Sequence, residues 1–531
     1  MLIRWVREHR SLALTIVALA ATVAWACAIC RSSHVLFDDS FISFRYANNL
    51  ARGQGLVFNP GERVEGYTNF LWVLLAALAI ALRLDPIAVT ATVGTVAFVA
   101  AAAAGCVLAT RPWDSLAYKR WTPLLFVPLL IRPTDYASFA TTGLETSFVG
   151  LLVLALGFVP TMSSSSQDAV RWTARVVPLL AVLTRLDTSL AVCASALALA
   201  WQCWSSSRSS RKVALALTRT FAPTAIGLAA YLAWKTAYYG SVLPNTYYAK
   251  AADGVHLEPG VAYFMSFIQS MPSVVLLAGV IGTGLIVARG AFERTFLFYA
   301  VVAMTLHCLY VVKVGGDFME YRLMWEFWPL LVCAAIVASW RFAKTLPAVM
   351  ALCGTLAFIA STFPTVLENR FGMQSLQRMN DYANLGRRVG SALGRELPAG
   401  TKVATTLAGM SFFMPDVVVL DQWGLNDKFT AHMPLQKFIE TEGLNARGHL
   451  KYAPLSHMKD SGTNLLIDHP QVCSCSAPSS DGKPDVFVRV GASLQDECVR
   501  TQYMTPTPDL TKWFCEHPAE FVLVGVPCPK S

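Results

Sequence analysis

Long apolar runs separated by short polar segments occupy the first two thirds of the chain. A transmembrane helix needs about 20 mainly apolar residues, and several of these runs reach that length. The runs lie at residues 11–30, 69–83, 86–109, 121–134, 143–160, 174–203, 220–239, 261–287, 295–313, 323–340 and 345–363. The pattern predicts a polytopic α-helical membrane protein.

The segments between the runs fall into two chemical classes. The first class consists of basic loops, which contain Arg111/Lys119/Arg120, Arg171/Arg175, Arg208/Arg211/Lys212/Arg219, Arg289/Arg294 and Arg341/Lys344. The second class is rich in Asp, Glu, Asn, Gly and Tyr and comprises residues 31–68, 133–147, 240–260 and 314–322. Because Lys and Arg are enriched in cytoplasmic loops, we expect the first class inside the cell and the second class outside.

Strict alternation of the two classes requires two features of the topology. Residues 69–83 must not cross the membrane, and 174–203 must turn back once near Thr184-Arg185-Leu186-Asp187. A segment as short as 69–83 suits an interfacial or re-entrant helix. The resulting prediction is about 11 spans, with the N-terminus cytoplasmic and the C-terminus outside. Of these, 121–134 and 174–187 are short and end in polar residues, which is typical of helices around a cavity.

The first run has two interpretations. Ala24-Trp25-Ala26 resembles a cleavage site, so the run could be a removable signal peptide. However, residues 11–30 exceed the usual apolar core of a signal peptide, which is roughly 7–15 residues. We therefore favour a signal anchor.

The composition agrees with a membrane protein. Hydrophobic residues make up 54% and charged residues 15%, against about 25% charged in ordinary soluble domains. Such a composition excludes intrinsic disorder and a small secreted disulfide scaffold. The formal net charge is +9, but the basic residues lie in short loops between apolar runs, so we expect no nucleic-acid partner.

The composition changes after residue 363. Short alternating stretches at 485–490 and 521–524 predict strands. We therefore predict a transmembrane catalytic domain at 1–363, with its first outer loop at 31–85, and a soluble extracytoplasmic α/β domain at 364–531. The soluble domain could be a plain cap or a module that binds an acceptor polymer.

The predicted outer domain contains five cysteines: Cys473, Cys475, Cys498, Cys515 and Cys528. An oxidising compartment favours one or two disulfides, and an odd number leaves one thiol free. Zinc is the alternative, but Cys473-x-Cys475 lacks the spacing of a zinc finger.

The first outer loop holds the most informative polar residues. Asp38 and Asp39 are adjacent carboxylates shortly after the first apolar run. Adjacent acids repel, which raises one pKa, and such a group can act as a general base. Alternatively, the pair could cap a helix that begins at Ser40. Further along the loop, side chains suited to substrate binding are Arg45, Glu65, Tyr67, Thr68 and Asn69.

Further polar clusters occur in the other predicted outer segments. Their candidate substrate-binding residues are Glu145, Arg185, Asp187, Asn245, Tyr247, Tyr248, Lys250, Asp317 and Arg322. Arg185 and Asp187 interrupt an apolar stretch, where charges are costly unless they serve a site or neutralise each other. An aromatic belt would explain Tyr247 and Tyr248, and Gly315-Gly316 could be only a turn.

We expect these clusters to converge on one outer cavity. Asp38 and Asp39 would supply a base, while Arg45, Lys250 and Arg322 would bind an anionic head group. Transfer of a sugar from a polyprenyl phosphate to an acceptor hydroxyl needs these groups. A transporter or flippase of a lipid-linked sugar is the alternative, although it would be expected to have polar residues on both sides and internal repeats.

Several ordered motifs carry a resemblance to a known family. They are Phe37-Asp38-Asp39, Phe44-Arg45-Tyr46, the stretch from Gly53 to Pro60, Val64 to Asn69, Thr142 to Thr146, Leu243 to Lys250, Gly316 to Met319 with Arg322, and Asp421 to Asp427. Together they closely resemble the GT-C membrane glycosyltransferases of the terminal β-(1→2) arabinofuranosyltransferase type, which act in mycobacterial and corynebacterial cell-wall arabinan synthesis. The resemblance runs from about residue 37 to 430.

The resemblance implies a GT-C fold in the cytoplasmic membrane, with Asp38 or Asp39 as the base. It implies inverting transfer from decaprenyl-phosphoryl-arabinofuranose or a similar donor to an acceptor on a cell-envelope polysaccharide or glycolipid. The sugar itself stays open. One departure is Leu186, where the family pattern has Pro. Some GT-C enzymes use a divalent cation with a D-x-D pair, but Asp38-Asp39 is not D-x-D, so we predict no cofactor and no obligatory metal.

Overall fold

The computed structural model of the protein describes residues 10–110, 126–131, 133–250, 254, 256–345, 374–434, 451–468, 470, 472–474, 484–489 and 497–529. Two predicted apolar runs are affected by the gaps. Part of 121–134 and almost all of 345–363 lie outside the described residues.

The first part of the chain is entirely helical. Its helices are Arg10–Ser32, Asp38–Ala51, Phe70–Ala81, Pro86–Thr110, Phe126–Ile131, Thr134–Ser138, Thr146–Leu156, Val159–Ser163, Asp168–Thr184, Ser189–Ser207, Ser210–Tyr239, Asn245–Ala249, Leu257–Ser270, Ser273–Val287, Ala291–Val314, Arg322–Trp325 and Trp328–Thr345. Gly240 and Gly315 end two of the long helices with φ of 75° and 88°, a conformation that glycine adopts without strain.

Five helices among the described residues are long and apolar enough to cross a membrane. They lie at Thr15–Ser32, Pro86–Thr110, Leu186–Ser207, Ser210–Tyr239 and Ala291–Val314. The predicted span 261–287 is instead a pair of helices, Leu257–Ser270 and Ser273–Val287, bent by 94°. Pro272 lies at the bend, where it cannot continue a helical hydrogen-bond ladder. The described residues therefore contain five or six candidate spans, and the total of 11 stays a prediction.

Two apolar helices are shorter than a bilayer requires. Phe70–Ala81 has 12 residues and is about 18 Å long at 1.5 Å per residue, which agrees with the prediction that 69–83 does not cross. Thr146–Leu156 has 11 residues, although its run was predicted to span, whereas Trp328–Thr345 has 18 residues. Trp328, Leu330 and Ile336 are almost completely buried, so the apolarity of this last helix reflects burial inside the helix bundle.

The predicted interruption near Thr184 is present. One helix ends at Thr184, a 3-10 turn covers Leu186–Thr188, and the next helix begins at Ser189. Arg185 itself is extended, with φ of −150° and ψ of 128°. The break occurs with Leu186 at the position where the family pattern has Pro, and it brings Arg185 and Asp187 out of the helical ladder.

The C-terminal part is a seven-stranded mixed sheet with accompanying helices. Its strands are β1 (Lys402–Thr405), β2 (Val418–Asp421), β3 (Leu465–Ile467), β4 (Val472–Ser474), β5 (Asp485–Arg489), β6 (Glu497–Tyr503) and β7 (Phe521–Val524), and its helices are Leu376–Glu396, Lys428–Ala431, Leu455–Asp460 and Pro508–Glu516. The order is β2-β1-β3-β6-β5-β7, with β4 also paired to β6. β1 is parallel to β2 and β3, and the remaining pairs are antiparallel.

A single hydrophobic core joins the first loop to this sheet. Phe41 and Phe44 of the helix Asp38–Ala51 are fully buried and pack on Phe412 and Phe413. Val403 and Val486 of the sheet belong to the same core. Residues near both ends of the sequence therefore form one folded unit beside the long helices.

The cysteines of the C-terminal part follow the expected pattern. Cys515 and Cys528 form a disulfide, and Cys498 is also disulfide-bonded. Cys473 is a free thiol, as the odd number of cysteines predicted. Cys475 lies outside the described residues.

Cysteine labelling tests whether the residues before and after the helix Phe70–Ala81 lie on the same side of the membrane. Glu62 and Asp85 flank it and are exposed, so cysteines at these positions should react with an impermeant maleimide from the same side. A cysteine at Ser206, in a predicted cytoplasmic loop, should react from the other side. Labelling is measured against the unaltered protein, which has 13 cysteines of its own. Reaction of position 85 together with position 206 would contradict the prediction.

Candidate active site

A cavity of about 760 Å³ brings together most of the polar residues predicted to form a site. Those that line it are Asp39, Glu65, Tyr67, Thr68, Asn69, Glu145, Arg185, Asp187, Tyr247, Lys250, Asp317 and Arg322. They come from five segments of the chain that are far apart in sequence. The expected convergence of the five clusters is therefore found for these residues, whereas Asp38, Arg45, Asn245 and Tyr248 are outside the lining.

Asp38 and Asp39 occupy the first turn of the helix Asp38–Ala51. The N-cap residue is Phe37, and neither carboxylate makes a capping hydrogen bond within the described structure. The capping interpretation is therefore wrong. Their position at the helix N-terminus still favours negative charge through the helix dipole.

The two carboxylates face different parts of the protein. Asp38 accepts a hydrogen bond of 2.9 Å from the Gly409 backbone N–H of the C-terminal part. Burial, together with the charges of Asp39 and Asp421, raises the pKa of Asp38 to about 8. Burial also raises the pKa of Asp39, but Arg322 and Lys250 act in the opposite direction. Asp39 therefore lies next to cations, whereas Asp38 is hydrogen-bonded to the C-terminal part.

Arg322, Lys250 and Asp317 form a charged group next to Asp39. The Arg322 guanidinium lies 2.7 Å from Asp317 Oδ2 and 3.9 Å from Asp39 Oδ2. Lys250 Nζ lies 3.9 Å from Asp317 Oδ1. Burial disfavours the ionised form of Asp317, yet Arg322 and Lys250 hold its pKa below the usual value. The group combines two cations with one carboxylate at the cavity wall.

Arg185 is surrounded by carboxylates. Its guanidinium lies 2.6 Å from Asp187, 3.1 Å from Glu145 and 3.3 Å from Glu326. Asn69 Nδ2 donates to the other oxygen of Glu145 at 2.7 Å. Arg185 and Asp187 thus neutralise each other and also line the cavity, whereas their role in substrate binding stays a prediction.

Sequence reasoning missed a second buried ion pair of the cavity. Lys235 Nζ lies 2.6 Å from Glu65 Oε2, and both side chains are almost completely buried. Tyr231 donates its hydroxyl to Glu65 Oε1 at 3.2 Å. Lys235 is the single charge in the apolar run 220–239, and such a charge is a signal for a site. The same signal applies to Glu326, which is 1% exposed.

Arg45 does not contribute to the cavity, contrary to its expected role in anion binding. Its guanidinium is fully buried and donates to the backbone carbonyls of Phe58, Met414 and Val417 at 2.9, 2.9 and 3.0 Å. These bonds tie the helix Asp38–Ala51 to the first loop and to the C-terminal part. Arg45 therefore stabilises the fold around the site without lining the cavity.

The segment Asp421–Asp427 forms part of the cavity wall through Leu425. Asp421 accepts hydrogen bonds from Trp423 N and Asn426 N, which shapes the segment as a tight loop. Asn245 Nδ2 donates to the Gly424 and Leu425 carbonyls at 2.8 and 3.1 Å. Asn245 thus holds this loop rather than lining the cavity. Tyr248, also outside the lining, stacks on His432.

A second cavity of about 520 Å³ adjoins the first and shares Asp39, Ile42 and Leu425 with it. Its other walls come mainly from the C-terminal part and include Tyr382, Thr406, Trp423, Tyr452 and Asp468, with Asp38 at its base. Asp39 therefore also lines a cavity with aromatic faces and hydrogen-bonding groups, whose lining does not include Arg322. Asp39 lies at the junction of the two cavities.

The described residues contain no group of three His, Cys, Asp or Glu side chains arranged to hold a metal ion. Our sequence-based expectation of no obligatory metal and no cofactor stays a prediction.

Comparison with known proteins confirms the resemblance based on the motifs. The chain is 27% identical over 358 residues to a terminal β-(1→2)-arabinofuranosyltransferase of Mycobacterium tuberculosis, covering 59% of this chain and 53% of that protein. It is 28% identical over 331 residues to the protein of the same name from Corynebacterium glutamicum, covering 54% of this chain and 45% of that protein. The chain thus spans about half the length of the curated relatives it matches. No family model matches it.

Replacement of Arg45 tests its structural role. Arg45→Ala removes the hydrogen bonds of a buried charged donor to the carbonyls of Phe58, Ser411, Met414 and Val417. Such bonds contribute about 1.5–3 kcal/mol each, so the apparent melting temperature in detergent should fall by several degrees. Arg52, directly after the same helix, is the matched control, because its ion pair with Asp416 is exposed and such pairs contribute little. Equal melting temperatures for the two variants would contradict the assignment.

The raised pKa of Asp38 predicts a pH dependence of stability. Since the pKa rises from 3.8 to about 8 on folding, the folded protein binds this proton more tightly than the unfolded chain does. The resulting stabilisation is full below pH about 4 and is lost as the pH rises to about 8. Between pH 5 and 8, the melting temperature of the wild type should therefore fall relative to that of Asp38→Asn, whose side chain at position 38 stays neutral. The exposed Asp416→Asn is the control and should follow the wild type. Parallel curves for wild type and Asp38→Asn would be inconsistent with this role.

Proposed function

We propose that the protein is an integral-membrane glycosyltransferase of the GT-C type. It transfers a sugar, arabinofuranose or a similar one, from a polyprenyl phosphate to a hydroxyl of a cell-envelope polysaccharide or glycolipid. The observation that carries the proposal is that Asp39 lines both a cavity with Arg322 and Lys250 in its wall and a second cavity with aromatic and polar walls. A base between two substrate sites is the arrangement that group transfer requires.

The larger cavity suits the donor. Arg322 and Lys250 can bind the phosphate, and cations at a departing phosphate stabilise the charge that develops there. Exposed apolar side chains lie next to this cavity at Leu243 and Leu257. They suit a polyprenyl chain, which needs an apolar path between the bilayer and the charged head group.

Asp39 is the better candidate for the base. It lines both cavities and lies 3.9 Å from Arg322, so it can contact the acceptor hydroxyl and the reacting centre. Asp38 is held by the Gly409 N–H of the C-terminal part and does not line the larger cavity, so it is farther from the proposed donor site.

The proposed reaction is a single displacement with inversion. The acceptor oxygen forms a bond to the anomeric carbon of the donor sugar, and the bond between that carbon and the phosphate oxygen breaks. The acceptor proton moves to Asp39, and the electron pair leaves with the polyprenyl phosphate beside Arg322 and Lys250. The products are the extended glycan and a polyprenyl phosphate.

The second cavity suits the acceptor. Trp423 and Tyr452 contact each other edge to face, and aromatic faces pack well against sugar rings. Tyr382 and Asp468 add hydrogen-bonding groups. With this assignment, the C-terminal part binds the acceptor polymer rather than only covering the membrane part.

The predicted positions of the loops support a site on the outer face of the cytoplasmic membrane, with the N-terminus inside and the C-terminal part outside. A transporter or flippase of a lipid-linked sugar is the less favoured function. It needs cations for the phosphate, but it needs no base between two cavities, and both curated relatives are named as transferases.

Replacement of each aspartate in turn tests the base. The purified protein is incubated with a panel of polyprenyl-phosphate sugars and a glycan acceptor, and released polyprenyl phosphate is measured. Asp39→Asn should lower the rate by at least about 100-fold, as expected for a lost general base. Asp38→Asn is the matched control, because its amide oxygen can still accept the Gly409 hydrogen bond; it should retain much more activity.

Two outcomes would contradict the proposal. Full activity of Asp39→Asn would exclude this residue as the base. Movement of the intact donor across a membrane, with no polyprenyl phosphate released by the wild type, would favour the flippase.

A further inference from the structure

Two of the four Lys and Arg side chains that line the larger cavity are already matched by carboxylates that contact neither Arg322 nor Lys250. Arg185 contacts Asp187, Glu145 and Glu326, and Lys235 contacts Glu65. Charge compensation of this kind leaves little capacity for an additional anion. If the cavity binds a phosphate, Arg322 and Lys250 are therefore the groups available for it.

Asp317 occupies the space between these two cations. It lies 2.7 Å from the Arg322 guanidinium and 3.9 Å from Lys250 Nζ, and it is 2% exposed. Arg322 Nε is buried and has no hydrogen-bond partner among the described residues, so the guanidinium keeps unused capacity. Asp317 thus lies where a phosphate oxygen would bind.

The backbone that carries Asp317 has left-handed residues on both sides. Gly315 and Gly316 have φ of 88° and 82°, and Tyr321 has φ of 52°. Two consecutive glycines allow a change of backbone conformation at low cost. Tyr321 is held by hydroxyl contacts to Ser266 and Ser270 at 2.6 and 2.8 Å. Asp317 therefore lies in a short segment with two glycines on one side and the anchored Tyr321 on the other.

We propose that Asp317 is a resident counter-ion that competes with the phosphate of the polyprenyl phosphate for Arg322 and Lys250, and so promotes product release. This inference rests on the proposed function. Without a substrate, the carboxylate neutralises the partly exposed Lys250 and the buried Arg322, which would be costly to leave unpaired. With a phosphate bound, it repels the ligand.

The chemistry of the reaction makes this repulsion selective. The donor is a phosphodiester with one negative charge. The leaving polyprenyl phosphate is a monoester, which carries about −1.5 to −2 charges at pH 7. Two cations alone would hold the product more tightly than the donor and would cause product inhibition. A fixed negative charge beside them weakens binding of the product more than binding of the donor.

The test measures binding of farnesyl phosphate, a monoester probe, and of farnesol, its uncharged counterpart, to the full-length protein in detergent. Asp317→Asn should lower the dissociation constant of farnesyl phosphate by about tenfold, the effect of roughly 1.4 kcal/mol, and leave that of farnesol unchanged. Asp317→Glu restores the charge and should return the affinity toward the wild-type value. Asp317→Ser repeats the measurement if the Asn variant does not fold.

Glu145→Gln is the matched control. It removes one buried carboxylate from the same cavity, but that carboxylate contacts Arg185 rather than Arg322. It should tighten farnesyl phosphate binding much less than Asp317→Asn does. In steady-state assays, Asp317→Asn should lower kcat more than it changes KM for the donor, and added farnesyl phosphate should inhibit it at lower concentrations than the wild type.

The outcomes separate this inference from the proposed function. If the wild type prefers farnesyl phosphate to farnesol and Asp317→Asn binds it equally or more weakly, the counter-ion role is overturned while the phosphate site stands. If neither protein prefers farnesyl phosphate, the polyprenyl-phosphate donor and the counter-ion role both fail.

Discussion

A cation that is buried among apolar helices must be neutralised, because the cost of removing an unpaired charge from water is several kcal/mol. In this protein the requirement connects distant parts of the sequence. Lys235 needs Glu65, Arg185 needs Glu145 and Glu326, and Arg322 needs Asp317. These pairs hold the first loop, the broken helix and the Gly-Gly segment around one cavity. The same charges that build the cavity therefore determine which cations can meet a substrate.

Most of the cavity could be predicted from the sequence, because polar residues at the ends of apolar runs have few uses other than a site. Arg45 and Asn245 belong to the same motifs, yet they donate to backbone carbonyls. Residue type alone cannot distinguish a substrate contact from a structural one, since both need a donor in a fixed position. Lys235 and Glu326 were missed because each is a single charge inside an apolar run, although the cost of burying it was a usable signal.

The prediction of membrane spans from hydropathy has a similar limit. Hydropathy reports how apolar a run is, but a helix buried in a bundle and a helix facing lipid can be equally apolar. Trp328–Thr345 and Thr146–Leu156 have many completely buried apolar side chains, so the apolarity of their runs does not by itself indicate contact with lipid. The bend of 94° after Ser270 was marked in the sequence only by Pro272. By contrast, the break at Arg185 and the short helix Phe70–Ala81 could be predicted, because the alternation of charged loops required both.

The adjacency of Asp38 and Asp39 follows from what each must contact. Successive residues of an α-helix point about 100° apart, so neighbouring side chains in its first turn reach different surroundings. Asp38 reaches the Gly409 N–H of the C-terminal part, and Asp39 reaches Arg322. One helical turn can therefore bind the C-terminal part, which forms the wall of the second cavity, through Asp38. The same turn places the carboxylate of Asp39 in the wall of the first cavity. A spacing of two residues would direct the second carboxylate about 200° from the first, away from the shared wall. The pair links folding of the C-terminal part to the position of the proposed base.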